Sequence, residues 1–175
     1  TLTQPRRVTA LTGIDALAHA LESYVTKPRN PASMAFSREG WLLLAANMGR
    51  VLEAPADLEA RGGMQLGACF AGLAIENSML GAAHALANPL TATYGIAHGH
   101  AVGMMLPHVI RFNAQTISQS YIDLLELTAE SPHMPRPVDG ANGLSDFVAG
   151  LLDLAQLPRN LGVLGVEKSD LSRLA

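Results

Sequence analysis

The sequence predicts an all-α, multi-helix domain, and three observations carry that expectation. Aromatic residues make up only 5% of the 175-residue chain while alanine, leucine, glycine and methionine are frequent, whereas strands draw on aromatic and β-branched side chains. Apolar residues recur at helical rather than alternating spacing, in runs bounded by capping residues and prolines. No two stretches pair as the strands of a sheet. The length suits a single domain with a sizeable core, covering residues 1–175.

Taken in order, the first ten residues, TLTQPRRVTA, read as an extended lead-in, because Pro5 disfavours helix at Gln4. A first helix is expected from Thr12, which stands at capping-box spacing from Asp15, to Thr26, ahead of Pro28 and Pro31. Asn30 as N-cap and Pro31 at the first helical position open a second helix that stops before Pro55. Asp57 caps a third, expected to reach Asn88 through the middle of the domain, with Gly63, Gly67, Ala71 and Ile75 on one face for close packing. Pro89 should end it, after which NPLTATYGIAHG reads as a returning loop. A short helix from His100 with a break at Pro107, helices over 118–130 and 143–157, and the proline-rich loop SPHMPRPVDG between them follow. Ser169 and Asp170 cap a last helix.

Composition removes several function classes. The net charge of −3, with lysines and arginines scattered, offers no basic surface for phosphate backbones, so no nucleic-acid partner is expected. Cys69 is the only cysteine and sits in the apolar run LGACFAGLAI, where it reads as a small buried residue, consistent with a reducing, cytoplasmic setting. The apolar window from Met64 to Leu86 is long enough for a bilayer, but Glu76, Asn77 and His84 would be costly in lipid, so it reads as a buried core helix and no membrane partner is expected. No charged segment followed by an apolar one opens the chain, so no signal peptide is expected.

Four residues point to metal chemistry. Asp15 and His19 are four apart, so on a helix both side chains leave one face and reach a single ion. His84 and His98 close a 14-residue gap holding Pro89 and Gly95. Three imidazoles and a carboxylate complete a coordination shell for a divalent transition metal. Read singly, Asp15 also fits a helix-start acid with His19 as its surface partner, and His84 fits a core histidine bonded to a carbonyl. The alanine and leucine around His19 and His84 favour the metal, since an imidazole in apolar surroundings needs partners at both ring nitrogens. Glu22 and Glu76 are candidate acceptors for the far nitrogen, and equally readable as helix-surface acids.

The segments GIDALAHALESY (13–24), ENSMLGAAHALANPL (76–90) and HGHAVGMMLPHVIRFN (98–113) resemble the iron-containing, group III alcohol dehydrogenases. The resemblance covers roughly the whole chain and implies that Asp15, His19, His84 and His98 bind the metal, Fe(II) or sometimes Zn(II). It implies the helical C-terminal domain of a longer NAD(P)-dependent enzyme, in which a metal-bound alkoxide gives hydride to a nicotinamide held by an N-terminal α/β domain. No strand followed by a glycine-rich phosphate turn occurs here, so the nicotinamide site is expected outside these residues and the chain alone is expected to be inactive. A small alcohol, or its aldehyde or ketone, is the implied substrate, and a homo-oligomer is expected.

One position departs from the family pattern. Many members place a histidine four residues after the ligand matching His84, but here Asn88 stands there, and an amide cannot exchange a proton near neutral pH. His100 and His108 are the nearest replacements in sequence, each also readable as a structural or surface residue. Polyol dehydrogenases and dehydroquinate-synthase-like enzymes are similar in architecture but use three protein ligands, so a role for His98 separates them. Outside enzymes, the alternative is a helical interaction module whose histidines are core residues.

Overall fold

The computed structural model describes residues 1–128 and 140–174, and among these there is no strand. Helix α1 covers Arg6–Val25, α2 Pro31–Glu53, α3 Leu58–Glu76, α4 Ala82–Tyr94, α5 His98–Thr128, α6 Gly140–Leu154 and α7 Leu171–Leu174, with two short 3-10 turns before α7. The all-α expectation holds. The proline-rich loop expected over 131–140 lies, apart from Gly140, outside the described residues.

Helix α1 begins well before the expected Thr12. Pro5, at φ −57° and ψ 147°, is its N-cap, and the Thr9 amide donates to the Pro5 carbonyl. The reason is tertiary: Arg6 donates to the carbonyls of Leu52 and Leu154 at 3.2 and 2.8 Å, and Thr9 and Ala10 are buried. The expected capping box is therefore absent, and the Thr12 hydroxyl bonds back to the Val8 carbonyl inside the helix. Helix α2 keeps its expected bounds. Asn30 accepts from the amides of Ala32 and Ser33, and Ser33 returns a bond to the Asn30 amide, with Pro31 leading the helix.

The long third helix expected to reach Asn88 is two helices. Asp57 caps α3 by accepting from the Ala60 amide, but Asn77 and Ser78 then turn their side chains onto the carbonyls of Leu73 and Ala74 and end it. Helix α4 starts at Ala82 and runs through Pro89, where a loop was expected. Buried Ala83, Ala87 and Leu90 hold it against the core despite the missing proline donor, and Gly95 ends it in the left-handed region at φ 65°. Pro107 is likewise inside α5, its carbonyl accepting from the buried Ser145 hydroxyl; the bend falls at Ile117 instead, close to the start expected for the helix over 118–130. Helix α6 lies three residues ahead of the expected 143–157.

Helix α1 packs against α2, α3 and α5, while α5 also carries α4 and α6. Trp41 on α2 is fully buried and donates to the Leu124 carbonyl at 2.8 Å, tying the middle of α2 to the C-terminal part of α5. Gly40 and Gly67 bring α2 and α3 together, since a Cβ on either would stand only 3.2 Å from the other's carbonyl oxygen. The outer face of α3 is open, however, exposing Leu58, Leu66, Leu73 and Cys69. The apolar window is thus neither one helix nor wholly buried, and Cys69 is a surface thiol: a half-covered helix satisfies α2 and α1 with its small residues alone. No helix is long and apolar enough to cross a membrane among the described residues.

Candidate metal centre

Three helices converge on one carboxylate oxygen. Asp15 and His19 leave the same face of α1 in its middle, His84 sits in the first turn of α4, and His98 is the first residue of α5. The Asp15 Oδ1 atom lies 3.6 Å from His19 Nε2, 3.4 Å from His84 Nε2 and 3.7 Å from His98 Nε2. The rings of His19 and His84 stack at a centroid distance of 4.8 Å, and those of His84 and His98 tilt at 5.4 Å. All four residues singled out in the sequence are brought together.

What permits this is close packing at the start of α5. A side chain at Gly99 would place its Cβ 2.0 Å from the Leu11 carbonyl oxygen, so only glycine lets α5 lie on the backbone of α1 beside Asp15. The segment HGHAVGMMLPHVIRFN carries Gly99 between His98 and His100, but the need for glycine there shows only in the packing of α5 on α1. On the α4 side the work falls to Glu22, buried at 2% exposure. Its carboxylate accepts from the amides of Ala83 and Gly81 at 2.7 and 3.1 Å and meets His84 Nδ1 at 2.6 Å. Glu22 is the acceptor anticipated for the far imidazole nitrogen; Glu76 is exposed at the end of α3.

The electrostatics follow from that arrangement. Burial pushes the Asp15 carboxyl up, yet His84 together with the charge of His19 and His98 outweighs it and leaves the group below its ordinary value. His19 is lowered, burial prevailing over the attraction of Asp15. His84 also loses solvent on burial, but the carboxylates of Asp15 and Glu22 on its two sides raise it to about 9.

Two buried polar atoms, Asp15 Oδ1 and His84 Nε2, have no hydrogen-bond partner. An orphaned buried oxygen and nitrogen facing each other cost free energy unless a third group satisfies both. Two ligands on one ion at bonds of about 2.1 Å stand roughly 3.0–3.5 Å apart, close to the separations around Asp15 Oδ1. The donor set fits a divalent transition metal, with ligand atoms of Asp15, His19 and His84 all within 4.8 Å of one another. The cluster is open on one side, since the side chain of His98 is 39% exposed against 6% for His84.

The remaining candidates separate from it. Asn88 is exposed one turn beyond His84 on α4. His100 is buried and its Nε2 meets the Pro158 carbonyl at 2.7 Å, which makes it a structural tie. His108 is exposed, at a surface recess with Pro107, Arg111 and Arg159.

A helical domain with one carboxylate and three imidazoles converging from three helices defines a candidate metal-binding domain. Residues 9–175 match the family model described as "Fe-containing alcohol dehydrogenase family, C-terminal", and the chain belongs to that family. It is 33% identical over 174 residues to the 1,3-propanediol dehydrogenase of Citrobacter freundii, covering 99% of this chain and 45% of that protein. It is 30% identical over 168 residues to the NADPH-dependent butanol dehydrogenase of Clostridium saccharobutylicum, covering 96% of this chain and 42% of the relative. The solved structure of a 1,3-propanediol oxidoreductase superposes with a TM-score of 0.91 at 32% identity, over 99% of this chain and 46% of that one. The chain therefore spans less than half the length of the relatives it matches.

Proposed function

We propose that this chain forms the metal-holding part of an NAD(P)-dependent alcohol dehydrogenase, with Asp15, His19, His84 and His98 binding one divalent ion, Fe(II) or Zn(II). The observation that carries the reading is the pair of orphaned atoms, Asp15 Oδ1 and His84 Nε2, with His19 and His98 around the same oxygen. A divalent ion bound there supplies Lewis acidity, lowering the pKa of an alcohol hydroxyl and polarising the carbonyl of the aldehyde or ketone in reverse. The approach of His98 Nε2 to within 3.7 Å of Asp15 Oδ1 supports this reading over the three-ligand polyol dehydrogenases and dehydroquinate-synthase-like enzymes.

The chain's own residues supply position and exclusion of water. Asp15, held by α1, would balance the charge of a bound ion and supply its one carboxylate oxygen. His84 is the most enclosed donor and closes the inner side, while the partly exposed His98 and His19 border the open side, where a small alcohol would approach. Asn88, one turn beyond His84, offers hydrogen bonds but no proton exchange near neutral pH. The described residues hold no βαβ turn for a dinucleotide. Hydride transfer accordingly requires a nicotinamide site beyond them, and the NADPH dependence named for the butanol relative supports that partner.

Metal analysis of the purified chain tests the reading. The wild-type chain should carry about one iron or zinc ion and oxidise no alcohol with NAD(P) alone, and an Asp15→Ala, His84→Ala pair should carry none. Equal metal content in the two proteins would sink the metal site and leave a helical module with core histidines.

A further inference from the structure

We infer that Glu22 and Gly81 are the positioning residues of this centre: one buried carboxylate on α1 fixes the ring of His84 and the start of α4 together, and glycine at 81 makes room for it. The inference rests on the metal reading above and adds what makes the site rigid.

Helix α4 has no side-chain cap of its own, since its N-cap residue is Gly81. Its free amides must be satisfied from elsewhere, and Glu22 does so across 59 and 61 residues of sequence, taking the Gly81 and Ala83 amides. The same carboxylate meets His84 Nδ1 at 2.6 Å. A carboxylate is acceptor-only when ionised, so the hydrogen between them sits on Nδ1. The other ring nitrogen, Nε2, 3.4 Å from Asp15 Oδ1, is then the one left to give its lone pair to an ion once the ion displaces its proton. Because the ring and the helix start share one anchor, any displacement of that carboxylate disturbs both.

Gly81 completes the device. A Cβ there would stand 2.7 Å from Glu22 Oε1 and 3.1 Å from its carboxyl carbon, so a side chain at 81 forces the carboxylate to shift from the position in which it meets its three donors. Glutamine at position 22 has one acceptor oxygen for the three donors: whichever way its amide faces, an NH2 opposes the Ala83 amide or points at His84 Nδ1 and the Gly81 amide. In the second orientation His84 must carry its hydrogen on Nε2, where it blocks the ion.

The test is a chelator-buffered Zn(II) titration of the full 175-residue chain as wild type, Glu22→Gln and Gly81→Ala, with circular dichroism to confirm helix content. Long-range 1H–15N correlation spectra of the zinc-loaded proteins report which nitrogen of His84 carries hydrogen. Wild type should bind one Zn(II) with hydrogen on Nδ1, and both variants should bind about 10- to 100-fold more weakly, with the Nδ1 hydrogen signal lost or exchanging rapidly. If Glu22→Gln fails to fold, Gly81→Ala decides, because it keeps the carboxylate and moves only its position. Wild-type affinity in a folded variant, or weakened binding with an unchanged Nδ1 signal, overturns the inference and leaves the metal reading standing. A wild-type chain that binds no ion overturns both.

Discussion

At the residue scale, a single oxygen organises the candidate centre. Asp15 Oδ1 has three imidazole nitrogens within 3.7 Å and no hydrogen bond of its own. Without an ion, His84 answers that charge by holding a proton, its pKa raised from 6.5 to about 9 by the two flanking carboxylates despite burial. The raised value means that the bound proton favours the folded state fully below pH 6.5, and that this contribution drains as pH climbs through 9. An ion and the proton compete for the same Nε2. The urea midpoint of the metal-free chain should therefore fall from pH 6.5 to 9 while Zn(II) affinity rises over the same interval. A His84→Gln variant should lose that fall in midpoint; a slope that persists in the variant assigns it to other groups.

At the element scale, the site depends on how α4 and α5 meet α1. Gly99 lies where a Cβ would overlap the Leu11 carbonyl at 2.0 Å, so Gly99→Ala must push α5 off α1. A loss of roughly 1–3 kcal/mol of unfolding free energy is expected from such overpacking, together with weakened metal binding because His98 moves with α5. Retained affinity would show that His98 is dispensable. Asn30 does two jobs, capping α2 and donating at 2.6 Å to the Asn77 carbonyl in the turn before α4. Asn30→Ala should cost about 1–2 kcal/mol in urea denaturation. Metal affinity should stay as it is, since Glu22 anchors the far side of that turn independently; a matching drop in affinity would contradict this.

For the whole molecule, the core and the open surface divide between the helices. Trp41, Tyr121, Leu17, Leu44 and Met48 are fully buried along the α1, α2 and α5 packing, whereas the outer face of α3 carries Leu66, Cys69 and Leu73 into solvent. Cys69 should thus react to one equivalent with a disulfide reagent in native buffer, as fast as a free exposed thiol. Reaction only after denaturant is added would place that face under cover. Because the four candidate ligands come from three helices, an ion binding the folded chain alone should also raise its unfolding midpoint with metal concentration.

Much of this was legible locally. The bounds of α2 follow from Asn30, Pro31 and Pro55, and the Asp57 cap of α3 from its own residue type, since capping is settled by neighbours in sequence. The i, i+4 spacing of Asp15 and His19 and the family-like segments around His84 and His98 named the four side chains that now meet. The misplaced elements are those decided by distant contacts. Helix α1 starts at Arg6 because Arg6 reaches Leu52 and Leu154, α4 runs through Pro89 because Leu90 and Ala87 are buried, and Cys69 is exposed because α3 packs on one side only. The sequence by itself determined which donors the chain owns and that Asp15 and His19 share one helix face, while His84 was expected on a longer third helix and His98 in a loop. The tertiary structure decided that Glu22, not Glu76, takes the far nitrogen of His84, that His100 belongs to a carbonyl, and that the donors share one oxygen. Chemistry resides in residue types, but convergence depends on contacts across tens of residues, which no local pattern encodes.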